Sequence, residues 1–404
     1  MCEITKENDS LQRQTENKDE DSQKIQCNKN IPELRFPEFE GEWKKITLNN
    51  LAKIQRGASP RPISSNRWYD NENKKVGWVR IGDVTNSSRY LYRTEDYFSE
   101  EGIKKSRFLP KGSLIMSICA TIGKPIITEI DTCIHDGFVG FSDLTNINKE
   151  FLYYILKNLE NKFISLSQTG SQANLNTNLI NKTKINMPSI KEQKKIANFL
   201  TCIDQKIELM EKEINKQSKY MKKIREIILN DNSDNSNKVQ LKEICIINKG
   251  KQLNKTNMIN DGKYYVLNGG KTPSGFTNSW NVPENTISIS EGGNSCGFVN
   301  YNVQKFYCGG HCYYLTNISD EIDPLLLYHC LKMNENKIMN LRVGSGLPNI
   351  QKKDLEKYKL YIPTKNHEKI TYLLNNINLK IDLNKEKLNH LKQFKKGLLQ
   401  KMFC

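Results

Sequence analysis

The stretch IANFLTCIDQKIELMEKEINKQSKYMKKIREII, residues 196–228, decides how this chain is built. Ile196, Ile203, Met210, Gln217 and Ile224 recur every seven residues, and Leu200, Ile207, Ile214, Met221 and Ile228 form a second line offset by four. Two interleaved lines of this kind are the a and d seams of a coiled coil. The same ruler fits near the C-terminus, where Ile370, Ile377, Asn384, Leu391 and Leu398 make one line and Leu374, Ile381, Leu388, Lys395 and Met402 the other. Ile196 and Ile370 are 174 residues apart. At ~1.5 Å per residue the first helix is about 50 Å long. Neither apolar stripe can stay in water, and the segment between them must bring the chain back. The two helices are therefore expected to pair with each other, antiparallel; the rival arrangement pairs each in a dimer. Gln217, Asn384 and Lys395 interrupt the seam. Such residues cost stability and fix register, unless they sit at frayed or partner-facing positions.

Outward from the helices, the chain repeats itself. Leu48, Leu51, Ile54 and Gly57 recur as Leu241, Ile244, Ile247 and Gly250 with identical spacing, and read as a short helix or turn with a glycine stop. PKGSLIMS (110–117), a turn feeding a buried strand, recurs as PENTISIS (283–290), and Gly123 matches Gly297. GSQANL (170–175) matches GSGLPNI (344–350) ahead of each long helix. The order is globular unit, long helix, globular unit, long helix. The centres differ: GWVRIGDV (77–84) against YVLNGGKTPSG (265–275), each a strand running into a loop. Residues 1–30 are polar and read as a disordered tail, 31–188 as the first mixed α/β unit, and 189–229 as the central helix. Residues 230–238 form a polar linker, 239–363 the second unit and 364–404 the terminal helix. PELRFPEF (32–39) reads as extended, held by its prolines.

A formal net charge of +16 with a pI near 9.2 points to a polyanion, and nucleic acid is the commonest one. The chain contains no apolar run long enough to span a membrane. Its N-terminus lacks the pattern of a secretion signal. The eleven Cys, an odd number without framework spacing, fit a reducing, cytoplasmic location.

No enzyme motif convinces. Gly270-Lys271-Thr272 imitates the end of a phosphate-binding loop, but Tyr265 stands where its glycine is required. Cys296, Cys308, His311 and Cys312 are four potential zinc ligands within 17 residues, yet they lack finger spacing and read as buried thiols with a satisfied or DNA-facing His, so no metal is expected. DNA contact is better supported. In the first unit Arg56, Arg61, Arg67, Lys75, Arg80, Arg89 and Arg93 gather among Trp68, Tyr69, Trp78, Tyr90 and Tyr92. Arg suits guanine edges and phosphates. In the second, Lys251, Lys255, Lys271, Ser274, Asn278, Asn294 and His311 sit in Gly-rich stretches that a DNA backbone can approach closely. Each residue alone reads more readily as a solvated surface group; the cluster carries the signal.

With these features in place the chain resembles the specificity subunits of type I restriction-modification systems over residues 31–404. PELRFPEF (32–39) with Trp43, VRIGDV (79–84), SEGGNSCG (290–297) and the Asn174-Leu175 and Asn349-Ile350 pairs carry the likeness. The resemblance implies two α/β target recognition domains reading the halves of a split double-stranded DNA site. It implies that the helices are antiparallel spacers that set the gap and dock methyltransferase subunits. Restriction subunits would complete the assembly. S-adenosylmethionine, Mg and ATP would belong to those partners, with no cofactor and no catalysis in this chain. The competing readings are a stand-alone nuclease or methyltransferase with diverged motifs, and a coiled-coil adaptor with no nucleic-acid role.

Overall fold

The computed structural model describes residues 30–167, 175–229, 236–344, 346 and 348–404. The expected tail up to residue 29, the 170–174 part of the repeated glycine motif, Ser345 and Leu347 of its copy, and residues 230–235 of the expected linker lie outside that set. The described chain divides into two compact units. One runs through Ile207 and includes His390–Cys404; the other is Glu208–Asn389. Each unit therefore takes part of both long helices.

In the first unit, β1 (Lys44–Thr47) pairs antiparallel with β11 (Lys184–Met187). β2 (Lys53–Arg56), β4 (Tyr90–Leu91), β7 (Leu114–Ser117), β8 (Pro125–Thr128) and β10 (Phe138–Ser142) form a sheet in the order β2-β10-β7-β8-β4. β3 (Val76–Val79), β5 (Asp96–Phe98), β6 (Arg107–Leu109) and β9 (Thr132–Ile134) form another, β5-β3-β9-β6, with β3 and β9 parallel. The strands β7, β8 and β9 are buried throughout, which is why they read as short apolar runs rather than alternating ones. Helix α1 (Lys149–Asn158), capped by Asn148, lays Phe151, Leu152, Tyr154 and Ile155 into the core shared with Trp43, Leu48, Met116 and Ile196.

The second unit repeats this plan. β12 (Ser236–Gln240) pairs with β20 (Lys359–Pro363). β13 (Ile246–Lys249), β16 (Thr286–Ser290), β17 (Val299–Asn302) and β19 (Cys312–Thr316) form the sheet β13-β19-β16-β17. β14 (Tyr264–Leu267), β15 (Gly275–Thr277) and β18 (Tyr307–Cys308) form β15-β14-β18, again with its β14–β18 pair parallel. The duplication read from spacing is thus a duplication of topology. Gly123 and Gly297 both take the left-handed conformation, φ 81° and 84°.

Three local expectations are corrected. Ile54 and Ile247 lie on strands β2 and β13, so Gly57 and Gly250 stop no helix. A Cβ on Gly57 would lie 2.1 Å from the His135 carbonyl oxygen, and one on Gly250 would lie 2.2 Å from that of Gly309; close approach is what demands glycine there. VRIGDV runs from β3 into a short helix, Ile81–Thr85, not a loop; Asp83 accepts the Arg80 N–H at 2.8 Å and starts it. Residues 32–39 are not extended throughout: the chain turns at 37–38, where the Phe39 N–H reaches back to Phe36, and the Arg35 guanidinium grips Glu192 at 2.8 Å.

The long helices are α2 (Ile190–Leu229) and α3 (His367–Lys401). All the expected seam positions are buried or half-buried, with Leu200, Met221, Leu374 and Ile381 among the most enclosed. Within the first unit Lys395 pairs with Asp204, and Leu398 and Met402 join the core of Ile196, Leu200 and Ile203. Within the second, Asn384 donates to the Gln217 side-chain oxygen at 3.1 Å, and Arg225 reaches Asn378 at 3.4 Å. Rising numbers on α2 meet falling numbers on α3, so the helices run antiparallel. The polar seam residues are not frayed: Gln217 faces Asn384, and Lys395 faces Asp204.

Candidate nucleic-acid interface

The strand ends of each unit converge in one rim of loops, and the two rims match hydrogen bond for hydrogen bond. In the first unit Ala58 N–H donates to Ile134, His135 to Val79, Ile118 to Gly137 and Leu175 to Ile118. In the second, Lys251 donates to Cys308, Gly309 to Leu267, Glu291 to His311 and Ile350 to Glu291. This superposes Arg80 on Asn268, Cys119 on Gly292, Ala120 on Gly293, Asp136 on Gly310 and Gly137 on His311.

The first rim is charged. Arg56 Nε donates to the Asp136 carbonyl at 2.6 Å, Arg61 lies 3.6 Å from the Asp136 carboxylate, and His135 Nε2 lies 3.0 Å from the same group. His135 Nδ1 accepts the Gly137 N–H at 2.9 Å, so the neutral ring carries its proton on Nε2 and gives it to Asp136. Burial, reinforced by Arg80, Arg61 and Arg56, lowers the His135 pKa against the pull of Asp136. Burial works against the Asp136 charge, but the Ser59 hydroxyl, His135, Arg56 and Arg61 outweigh it and hold the carboxyl below its ordinary range. Arg80 is held at 3.0 Å by Asp96 and at 3.2 Å by the Tyr69 hydroxyl. Arg56, Arg61 and Arg80 are thus brought together around one turn, with Arg61 77% exposed. An array of fixed guanidinium groups with outward faces suits phosphates and guanine edges.

The other expected cations divide. Arg67 is exposed and stacks 3.9 Å over the Trp68 ring; Lys75 and Arg93 are exposed elsewhere on the unit. Arg89 is a correction. Its side chain is 5% exposed, and its guanidinium meets the Tyr154 hydroxyl at 2.7 Å, Thr201 at 2.9 Å and Asp204 at 3.6 Å, with Glu150 closing the set. It ties α1 to the central helix and cannot face DNA. The two tryptophans also turn inward, with Trp78 stacked on Phe98 at 4.3 Å, whereas Tyr69 and Tyr90 are half-buried and Tyr92 is exposed.

Where the first rim has arginines, the second carries Lys251 and Lys271, with Glu291 paired to Lys249 at 2.7 Å. Lys251, Lys271, Ser274, Asn294 and His311 are all exposed. The Asn268 side chain accepts the His311 N–H at 3.2 Å and fixes the turn that presents the ring. Lys255 and Asn278 are exposed on the outer loops, Asn278 accepting from Lys263 N–H at 3.2 Å. Asn268 was missed in the sequence; only the Gly-rich context around it gave a signal. Cys296, Cys308 and Cys312 are buried while His311 is exposed, and the Cys296 thiol donates to the Glu291 carbonyl at 2.9 Å. The neighbouring Cys312 thiol and burial raise the Cys308 pKa. Among the described residues no three His, Cys, Asp or Glu side chains are placed to share a metal ion, and no helix is long and apolar enough to cross a membrane.

The sequence matches the family described as the type I restriction modification DNA specificity domain twice, over residues 40–217 and 233–393. A putative type I specificity subunit of Mycoplasma pneumoniae is 41% identical over 129 residues, which are 32% of this chain and 34% of that protein. A putative type I specificity subunit of Mycoplasma genitalium is 33% identical over 141 residues, 34% of this chain and 36% of that protein. The chain thus matches about a third of the length of each. The crystal structure of a type I restriction-modification S subunit from Mycoplasma genitalium shares the fold with a TM-score of 0.68 at 18% identity, covering 93% of this chain and 99% of that one.

Proposed function

The chain belongs to the type I restriction modification DNA specificity family, and on that premise we propose that it is the non-catalytic DNA-reading subunit of a restriction-modification assembly. Each unit reads one half of a two-part site in duplex DNA, and the paired helices set the unread gap. The helices also dock methyltransferase subunits, and restriction subunits join the complex. S-adenosylmethionine, Mg and ATP act in those partners. The assembly works where the chromosome lies, in the prokaryotic cytoplasm.

The observation that carries this reading is the pair of matching rims with unlike residues. A scaffold repeated down to its hydrogen bonds supports two equivalent docking positions. Arg80 in one rim and Asn268 in the other support two different base sequences. The net charge of +16 adds the attraction to phosphate.

Mapping N6-methyladenine in the host genome with and without this chain tests the proposal. A two-part motif should vanish on deletion. Removing one heptad from each helix shortens each by about 10 Å, about three base pairs of rise, and should shrink only the gap. A genome whose methylation is untouched by the deletion would defeat the proposal.

A further inference from the structure

Resting on that reading, we propose that the second unit meets DNA through bare main chain: its glycine rim is a platform that a sugar–phosphate strand approaches directly, with His311 presented to a base of its half-site. Three glycine pairs from three loops meet here. They are Gly269-Gly270, Gly292-Gly293 and Gly309-Gly310, and a Cβ on Gly269 would lie 3.1 Å from the His311 carbonyl and 3.2 Å from that of Gly292.

Packing explains only part of this. Gly269 and Gly309 are enclosed, since a Cβ on Gly309 would lie 2.6 Å from Asn268 Oδ1. A Cβ on Gly270 would lie 3.1 Å from the Thr272 carbonyl and Gly293 takes φ 77°, so packing and backbone leave Gly292 and Gly310 as the least constrained pair. A Cβ on Gly292 would meet nothing nearer than 3.7 Å, and one on Gly293 nothing within 4 Å. A Cβ on Gly310 would lie 2.7 Å from the Gln252 side-chain oxygen, the free end of a flexible side chain, and 3.4 Å from the Gln252 Cα.

The repeat supplies the control. At the matching positions the first unit carries Cys119, Ala120 and Asp136, beside Ile118, His135 and Gly137, which make the shared backbone hydrogen bonds. Ala120 even accepts the left-handed conformation of its partner, φ 55° against 77° for Gly293. Side chains are therefore compatible with this rim from the inside. What their absence changes is the outside: a body can come closer to the peptide groups. Exposed Lys251 and Lys271 flank the platform and favour a polyanion. Backbone N–H groups bind phosphate oxygens and position a strand, which leaves the base contact to a protruding side chain such as His311. The two units thus hold DNA by different means, the first through guanidinium groups and the second through close approach.

The test uses the chain assembled with its methyltransferase subunits and compares Gly292→Ala and Gly310→Ala with, in the first unit, Arg80→Ala. Both glycine variants should keep the wild-type melting temperature. They should weaken specific duplex binding about tenfold, which is about 1.4 kcal/mol, and relax one half of the methylated motif. Arg80→Ala should disturb the other half. Wild-type affinity and motif in both glycine variants would overturn the inference, as would a lowered melting temperature, which would assign the glycines to packing. If the unsubstituted complex shows no sequence preference, it is the underlying DNA-reading role that fails.

Discussion

Replacing Arg89 by Ala should unfold the first unit early without removing a DNA contact. The guanidinium is 5% exposed and touches Tyr154, Thr201, Glu150 and Asp204. Burial alone would lower its pKa, but Tyr154, Glu150 and Tyr90 raise it, so the group is charged in the fold. Removing one partner of a buried ion pair costs about 3–5 kcal/mol because the other charge stays behind. The loss here falls at the low end. Glu150 is 29% exposed and can rehydrate, and Asp204 keeps Lys395. A cost of about 3 kcal/mol corresponds to roughly 6–12 °C in a unit of this size. Three of the four Trp (Trp43, Trp68 and Trp78) lie in this unit, so urea unfolding followed by fluorescence reports chiefly on it. Arg89→Lys should recover part of the loss, since an ammonium keeps the charge but not the fork of contacts. The reasoning is refuted if Arg89→Ala unfolds like wild type while the salt dependence of DNA binding falls by the amount of one phosphate contact.

Two further outcomes follow from the seam and from the second core. Gln217→Leu strands the Asn384 amide in the helix seam and should cost about 1–3 kcal/mol, whereas Gln217→Leu with Asn384→Leu should melt above either single variant; a double-variant loss equal to the sum of the two single losses would show that the pair is not coupled. His329 is buried beside Arg225, which donates to its Nδ1 at 3.3 Å, and burial together with that charge lowers its pKa to about 3. Below pH 6.5 the unfolded chain takes up a proton that the folded chain refuses, so stability should fall as pH drops from 6.5 toward 3. His329→Gln should flatten that fall in urea midpoints measured by circular dichroism, and parallel curves for the two proteins would disprove the assignment.

How much was legible in advance differs between the helices and the rims. A heptad is a local property of the chain, because a helix buries one stripe whatever it packs against; the period of Ile196, Leu200 and their successors was enough to find both long helices. The repeat was legible for the same reason, since Leu48 and Leu241 occupy the same step of the same scaffold. The rims were legible only as clusters. Arg61 and Arg89 are the same residue type on the same unit, yet one is 77% exposed and the other 5%. Nothing beside Arg89 in the chain announces this, because its partners are Glu150, Tyr154, Thr201 and Asp204, the farthest more than a hundred residues away. The sequence by itself determined the two units, the two helices, their common period and the charge. Only the tertiary structure decided that Gln217 meets Asn384, that Asp136 stands opposite Gly310 in the repeat, and which cations remain at the surface. Burial and pairing are set by neighbours distant in sequence, and a one-dimensional pattern carries no record of them until the chain has closed around its core.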